Sequence, residues 1–219
     1  MLGMKWNQFC TWILHLIILN CLWLGTIILG LVIFGIGPAS YAVSATIRQW
    51  VKIGESSTPV KTYMANLRQN LKENIISGIM ITLFIMIVTV DLLFVKNWGF
   101  RVGIFLAIFV ASPVILLYYP VSAHFNVENV KEKIHLIFQL FLRYILLFIV
   151  MCITLAAYGA VMLRWLPAYF ILIGYSSIQW IIMMFLKNIY IKEQVWDVSQ
   201  EEADILLGET VEQVLDKKG

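Results

Sequence analysis

The sequence predicts an all-α membrane protein: a bundle of five transmembrane helices, with a short re-entrant or interfacial helix after the first span and an amphipathic cytoplasmic helix before the second. Three observations carry that prediction. Residues 6–47 form a run of 42 without a single Asp, Glu, Lys or Arg, and an apolar helix of about 20 residues already crosses the roughly 30 Å hydrocarbon core of a bilayer. Hydrophobic residues make up 61% of the chain and charged ones 13%, against about 25% charged in an average soluble domain. The apolar stretches are also long and separated by short charged segments, without the alternation that barrel strands show.

The first element begins after Lys5. A cleavable signal peptide has an apolar core of about 7–15 residues, and this run is far longer, so it reads as an uncleaved span over residues 12–34 holding His15, Asn20 and Thr26. Gly35, Gly37 and Pro38 interrupt it, and Pro38 suits a first helical turn. The apolar piece that follows, residues 38–50, is too short to cross; it is either re-entrant or laid along the interface. After a loop at 54–59, Thr58 is an N-cap with Pro59 in the first turn. Val60, Tyr63, Met64, Leu67 and Leu71 then fall at helical spacing, with Lys61, Arg68 and Lys72 off the stripe. This helix either rests on the membrane with its basic groups toward lipid phosphates, or packs on other helices with its charges solvated.

Span two is 75–95, charge-free except for Asp91. The link Lys96 to Arg101 is short enough to make a helical hairpin with span three, 102–123, and places Trp98 at the interface. Pro113 inside span three frees a backbone carbonyl and kinks the helix. A polar segment, 124–139, precedes span four at 144–163; a tight turn at Arg164-Trp165-Leu166-Pro167 leads to span five at 168–186. Residues 1–187 thus form one helical transmembrane domain, and residues 188–219 an acidic cytoplasmic tail.

Charge is unevenly placed. Of the net +3, residues 1–187 contribute +8 and residues 188–219 contribute −5. With five spans, 12 of the 16 Lys/Arg lie on one side, so the positive-inside rule puts the N-terminus outside and the C-terminus in the cytoplasm of a plasma (cell) membrane. The tail has a capping box, Ser199 to Glu202, and an apolar stripe of Ala203, Leu206, Leu207, Val211 and Val214. It either docks on the basic loop between spans one and two, or on a partner, or serves only to solubilise. The basic groups flank membrane segments without any nucleic-acid-binding pattern, so no nucleic acid partner is expected. Cys10, Cys21 and Cys152 lack metal or redox spacing and read as small apolar residues.

Few residues invite chemistry. Asp91 is the only acid within a span, and ionisable groups inside a membrane are functional candidates. It lies four residues from its span's end, however, where water, Lys96 or Arg101 is within reach. Asn20, with His15, needs partners if turned inward, and such residues usually fasten helices together. Asn20, Asp91 and the kink at Pro113 are the candidate functional residues, the ones that would line a path through the bundle. His124, Glu128, Glu132 and His135, spaced by 4, 4 and 3, would share one helix face, and Glu132-x-x-His135 has the ligand step of carboxylate metal bundles. No second Glu-x-x-His exists and Lys131 and Lys133 sit beside it, so a solvated cytoplasmic helix is expected there, with no metal. The chain has no phosphate-binding loop, no His-Glu-x-x-His and no Gly-x-Ser-x-Gly. Charged groups for a proton relay or ion filter are missing from the bundle centre. No catalytic residues and no cofactor are expected, and the protein is not expected to be an enzyme.

Four segments carry a family resemblance: Asn20-x-x-Trp23 in the first span, Ile36-Gly37-Pro38-Ala39 with a short helix to Arg48, Tyr63 to Asn74 leading into span two, and Tyr119-Pro120-Val121 closing span three. Together they resemble the YesL family of bacterial membrane proteins. The resemblance implies a multi-span protein of the bacterial plasma membrane built on a domain of unknown function, and a setting of carbohydrate uptake and polysaccharide degradation; it carries over no catalytic or binding residues. The expected role is that of an accessory or regulatory partner of a carbohydrate uptake or utilisation system, bound to the lipid bilayer and to a sugar transporter complex or to itself. The alternative is a small oligomeric transporter or channel.

Overall fold

The computed structural model describes residues 2–53, 58–125 and 129–193, and among these every regular element is a helix. In chain order they are α1 (Leu2–Leu29), α2 (Ile33–Ile53), α3 (Pro59–Leu67), α4 (Leu71–Phe94), α5 (Trp98–His124), α6 (Val130–Arg143), α7 (Ile145–Trp165) and α8 (Pro167–Lys192). Five are long and apolar enough to cross a membrane: α1 from Cys10 onward, α4, α5, α7 and α8. These are the five expected spans, most with ends shifted by a few residues.

The first span ends earlier than its composition suggests. Helix α1 stops at Leu29, and the chain reverses through Leu31 and Val32, both left-handed at φ 52 and 66. Gly30 N–H donates to the Thr26 carbonyl at 2.9 Å and Val32 N–H to that of Ile27 at 2.8 Å, closing the helix end. Gly35, Gly37 and Pro38 therefore lie inside α2 and do not interrupt a helix. Pro38 is the sixth residue of α2, inside the helix, where its missing N–H withholds one bond from the Phe34 carbonyl. The glycines serve close approach instead. A Cβ on Gly30 would stand 2.4 Å from the Gly35 Cα, and one on Gly35 would stand 2.6 Å from the Thr26 oxygen.

Helix α2 returns antiparallel along α1. Trp23 Nε1 donates to Ser40 Oγ at 3.3 Å, and further from the turn the His15 and Trp50 rings lie 5.6 Å apart. The helix after the first span is thus 33–53, not 38–50. Its 21 residues extend about 31 Å at about 1.5 Å per residue. Every residue from 37 to 47 is buried, against α1, α3, α4, α5 and α8. A helix lying on an interface would show one free face; this stretch shows none.

Helix α8 runs parallel to α2, with Ser44 Oγ donating to Gln179 Oε1 at 3.1 Å, and antiparallel to α1, with Trp12 against Trp180 at 5.1 Å and Trp23 stacked on Tyr175 at 4.1 Å. The last turns of α2, α5 and α8 meet, where Arg48 reaches His124 and His124 stacks on Tyr190. The molecule is therefore three helical hairpins, α1–α2, α4–α5 and α7–α8. The tips of the last two, at 95–97 and 166, lie at the end away from α3 and α6; the first tip, at 30–32, stops short of them, since Gly37 packs on Asn74 and Gly78 at the start of α4 and Tyr63 of α3 reaches Thr26. The end that carries α3 and α6 is rich in Lys and Arg.

Two elements at that basic end differ from expectation. Helix α3 ends at Leu67, and Asn70, left-handed at φ 48, starts α4. Its stripe is split: Tyr63 is fully buried, whereas Val60 and Met64 point away from the bundle at 47% and 41% exposure. Pro59, Tyr63 and Asn66 form the inward face, with Tyr63 bonded to Thr26 Oγ1 at 2.9 Å and Asn66 to Thr46 Oγ1 at 3.1 Å. Burial pushes the Tyr63 hydroxyl up to about 12, so it stays protonated. The polar segment 124–139, expected to hold a solvated helix, contains most of α6 (Val130–Arg143), whose inward face buries Lys133, Ile137 and Phe141.

Candidate functional site

Ionisable side chains converge inside the basic end. Glu73, in the first turn of α4, accepts from Lys133 Nζ of α6 at 2.5 Å and from the Tyr118 hydroxyl of α5 at 3.1 Å, all on Oε1. The Lys133 side chain is 4% exposed and that of Glu73 23%. Nearby, Arg48 Nε donates to His124 Nδ1 at 3.0 Å, and the His124 ring stacks on Tyr190 at 4.0 Å and 8°. The Tyr41 hydroxyl donates to Gln69 Oε1 at 3.4 Å. Five helices, α2, α4, α5, α6 and α8, are joined by this cluster. A smaller one lies beside it: Glu193 accepts from Arg143 at 3.0 Å and from the Tyr144 hydroxyl at 2.5 Å. That hydrogen bond to a carboxylate raises the Tyr144 phenol above its ordinary range.

Lys133 is the clearest departure from the sequence reading, which placed it on a solvated face. Its position was legible in one respect, since Lys133, Ile137 and Phe141 recur every four residues and share a helix face. Its partner was not, because Glu73 is sixty residues away. The four-residue face from His124 to His135 also does not form. Extended backbone at Phe125 ends α5, so His124 belongs to α5 and Glu132 and His135 to α6, while Glu128 lies outside the described residues. His135 accepts from Gln139 Nε2 at 2.9 Å. Among the described residues no three His, Cys, Asp or Glu stand close enough to hold a metal ion. The acidic tail from 194 onward, with its capping box and stripe, likewise lies outside the described residues.

The three candidate residues occupy separate places. Asn20, 2% exposed, donates to the Ile171 carbonyl at 2.7 Å and accepts from Ser176 N–H at 3.2 Å and its hydroxyl at 3.4 Å. It binds α1 to α8. Asp91 is half-buried in the last turns of α4, and Arg101 turns to the Val95 carbonyl at 2.8 Å. Pro113 is buried in α5. Further polar groups of the interior are bonded to one another: Gln179 Nε2 donates to the Tyr175 hydroxyl at 3.0 Å while its Oε1 accepts from Ser44. Asn20→Leu is expected to cost about 0.6–1.7 kcal/mol, the scale of hydrogen bonds between membrane helices, read as a shifted unfolding midpoint in mixed micelles.

Comparison with known proteins fits this arrangement. Residues 16–92 match the family model described as Protein of unknown function, DUF624. The chain is 29% identical over 136 residues to the uncharacterized protein YesL of Bacillus subtilis (strain 168), covering 60% of this chain and 64% of that one. It is 29% identical over 141 residues to the uncharacterized protein YteU of the same organism, covering 62% of each. The chain thus spans a little under two thirds of the length of these relatives. No solved structure matches it. The matched segment runs from Leu16 in α1 to Leu92 in α4, taking in the first hairpin, α3, Asn20, Gly37, Glu73 and Gly78. Over that segment this integral membrane protein, of uncertain activity, is similar to the proteins that share the DUF624 domain of unknown function, YesL and YteU among them.

Proposed function

We propose that the protein is an accessory partner of a carbohydrate uptake or utilisation system in the plasma membrane, offering its basic end to a partner in the cytoplasm and performing no catalytic step. The observation that carries this reading is the contrast between interior and end. Inside, Asn20, Ser44, Asn66 and Gln179 spend their hydrogen bonds on neighbouring helices. At the basic end Lys61, Arg68, Lys72 and Lys131 stand exposed around a rigid buried cluster. Polar groups tied in this way fasten helices, and an exposed basic surface recruits acidic partners. The sugar setting comes from the family resemblance.

Helix direction supports a reading of orientation. Because α1 and α8 are antiparallel, with α2 counted as a crossing the chain threads the bilayer an even number of times. The start of α1 and the end of α8 then share one side, in place of the opposite sides that five crossings give. Among the described residues only Lys96, Arg101 and Arg164 fall on the far side, an asymmetry that favours a cytoplasmic basic end.

Gentle extraction of the tagged protein is expected to bring down a transporter permease or its ATPase. Replacing Lys61, Arg68, Lys72 and Lys131 by Glu is expected to abolish that recovery while membrane levels of the protein stay unchanged. Recovery of the protein alone, with normal sugar uptake after deletion, overturns the proposal; sugar flux through the purified protein in liposomes replaces it with a transporter.

A further inference from the structure

A cavity of about 200 Å³ opens at the basic end, where the last turns of α5 and α8 meet α6. Phe125, Leu136, Leu140 and the Tyr190 ring give it apolar walls, and Gln139, Arg143 and Glu193 add polar groups. At about 30 Å³ per water in the liquid, it has room for a few aliphatic groups.

Two features identify the occupant. Glu193, part of the wall, is the last described residue, so the segment 194–219 starts at the cavity itself. That segment carries seven Asp/Glu against two Lys. The surrounding end exposes Lys61, Arg68, Lys72, Lys131, Arg143 and Lys192, and among the described residues there a single exposed acid, Glu132. The segment also has something to insert: Leu206 and Leu207 lie on its apolar stripe, downstream of the Ser199 to Glu202 capping box. At up to about 3.3 Å per residue of extended chain, the stretch from Glu193 to Leu206 can cross the whole end.

We propose that segment 194–219 folds back on the basic end of its own chain, seating Leu206 and Leu207 in this cavity and setting its carboxylates against the exposed basic side chains. The contact is intramolecular and stands whether or not the protein has a partner. It covers the same Lys and Arg side chains that an acidic partner would use, so the tail acts as a competitor that a partner must displace.

Disulfide trapping in the full chain tests this. In a background carrying Cys10→Ser, Cys21→Ser and Cys152→Ala, Gln139→Cys with Leu207→Cys is expected to cross-link within one chain about tenfold faster than Lys96→Cys with Leu207→Cys, which pairs the tail with the hairpin tips, as expected for a tethered site of high effective concentration. The rate is expected to fall in 1 M salt, where the Debye length is about 3 Å. Leu206→Asp in the first pair is expected to remove the advantage without touching the bundle. Equal rates for the two pairs, a link joining two chains, or indifference to Leu206→Asp overturns the proposal.

Discussion

Glu73→Gln is expected to lower stability by about 3–5 kcal/mol, the cost of leaving one member of a buried ion pair without its counter-charge. The substitution keeps the shape and one acceptor oxygen but leaves the Lys133 ammonium, 4% exposed, without an anion. Tyr118 loses a charged acceptor at the same time. Lys133→Met should cost less, since the Glu73 side chain is 23% exposed and water can solvate the carboxylate it leaves behind. The pair Glu73→Gln with Lys133→Met is expected to recover most of the loss, because a linear apolar side chain fits the same channel and neither charge remains to be desolvated. Unfolding midpoints by circular dichroism in one detergent supply the double-mutant cycle. Simple additivity of the two single losses would show that the residues are not coupled and that α6 is held by its apolar face alone.

Gly37→Ala is the second large effect, and it acts through backbone. A Cβ at Gly37 would stand 1.8 Å from the Asn74 carbonyl oxygen and 3.0 Å from the Gly78 Cα; one at Gly78 would stand 2.6 Å from the Gly37 Cα. Neither obstacle is a side chain that can swing aside, so α2 and α4 must separate. The expected loss is at or above the about 1–3 kcal/mol usual for an overfilled interior, read as lower thermal stability and poor recovery from membranes. Gly103→Ala and Gly159→Ala supply the contrast. A Cβ there meets nothing within 4 Å, and alanine gains about 0.5–1 kcal/mol over glycine within a helix. Opposite signs for chemically identical substitutions would locate the contact between α2 and α4. Equal, small effects at all positions would show that these helices do not touch there.

The five lipid-exposed spans were legible because lipid demands uninterrupted apolar residues, and charge-free runs mark them directly. Helix α2 was misjudged for the converse reason. It is surrounded by protein, so it can keep Ser40, Ser44 and Thr46 buried at 3% exposure or less and hand their hydrogen bonds to neighbours. A hydropathy argument sees only an apolar stretch too short to cross. The glycines and proline at 35–38 have the composition of a helix break, yet the break falls at Leu31 and Val32, residues that sequence gives no reason to place in left-handed backbone. Asn20 was correctly read as a residue needing partners, but its partners on α8 lie about 150 positions away. The Glu73–Lys133 pair has the same obstacle, since nothing local marks either residue as the other's counter-charge.

The enclosure of α2 also dictates an order of manufacture. Ser44 and Thr46 donate to carbonyls of α2 itself, but Ser44 also pairs with Gln179, Thr46 with Asn66 and Arg48 with His124; a helix this polar partitions poorly into hydrocarbon by itself, so during synthesis it must enter the bilayer leaning on α1. Its remaining flank is closed by α8, the last of the described helices, which brings Gln179 to Ser44 and stacks Tyr175 on Trp23. Nascent chains that stop before residue 167 therefore hold an open seam along α2, and membrane quality control meets a first hairpin that is enclosed only once α8 has been made.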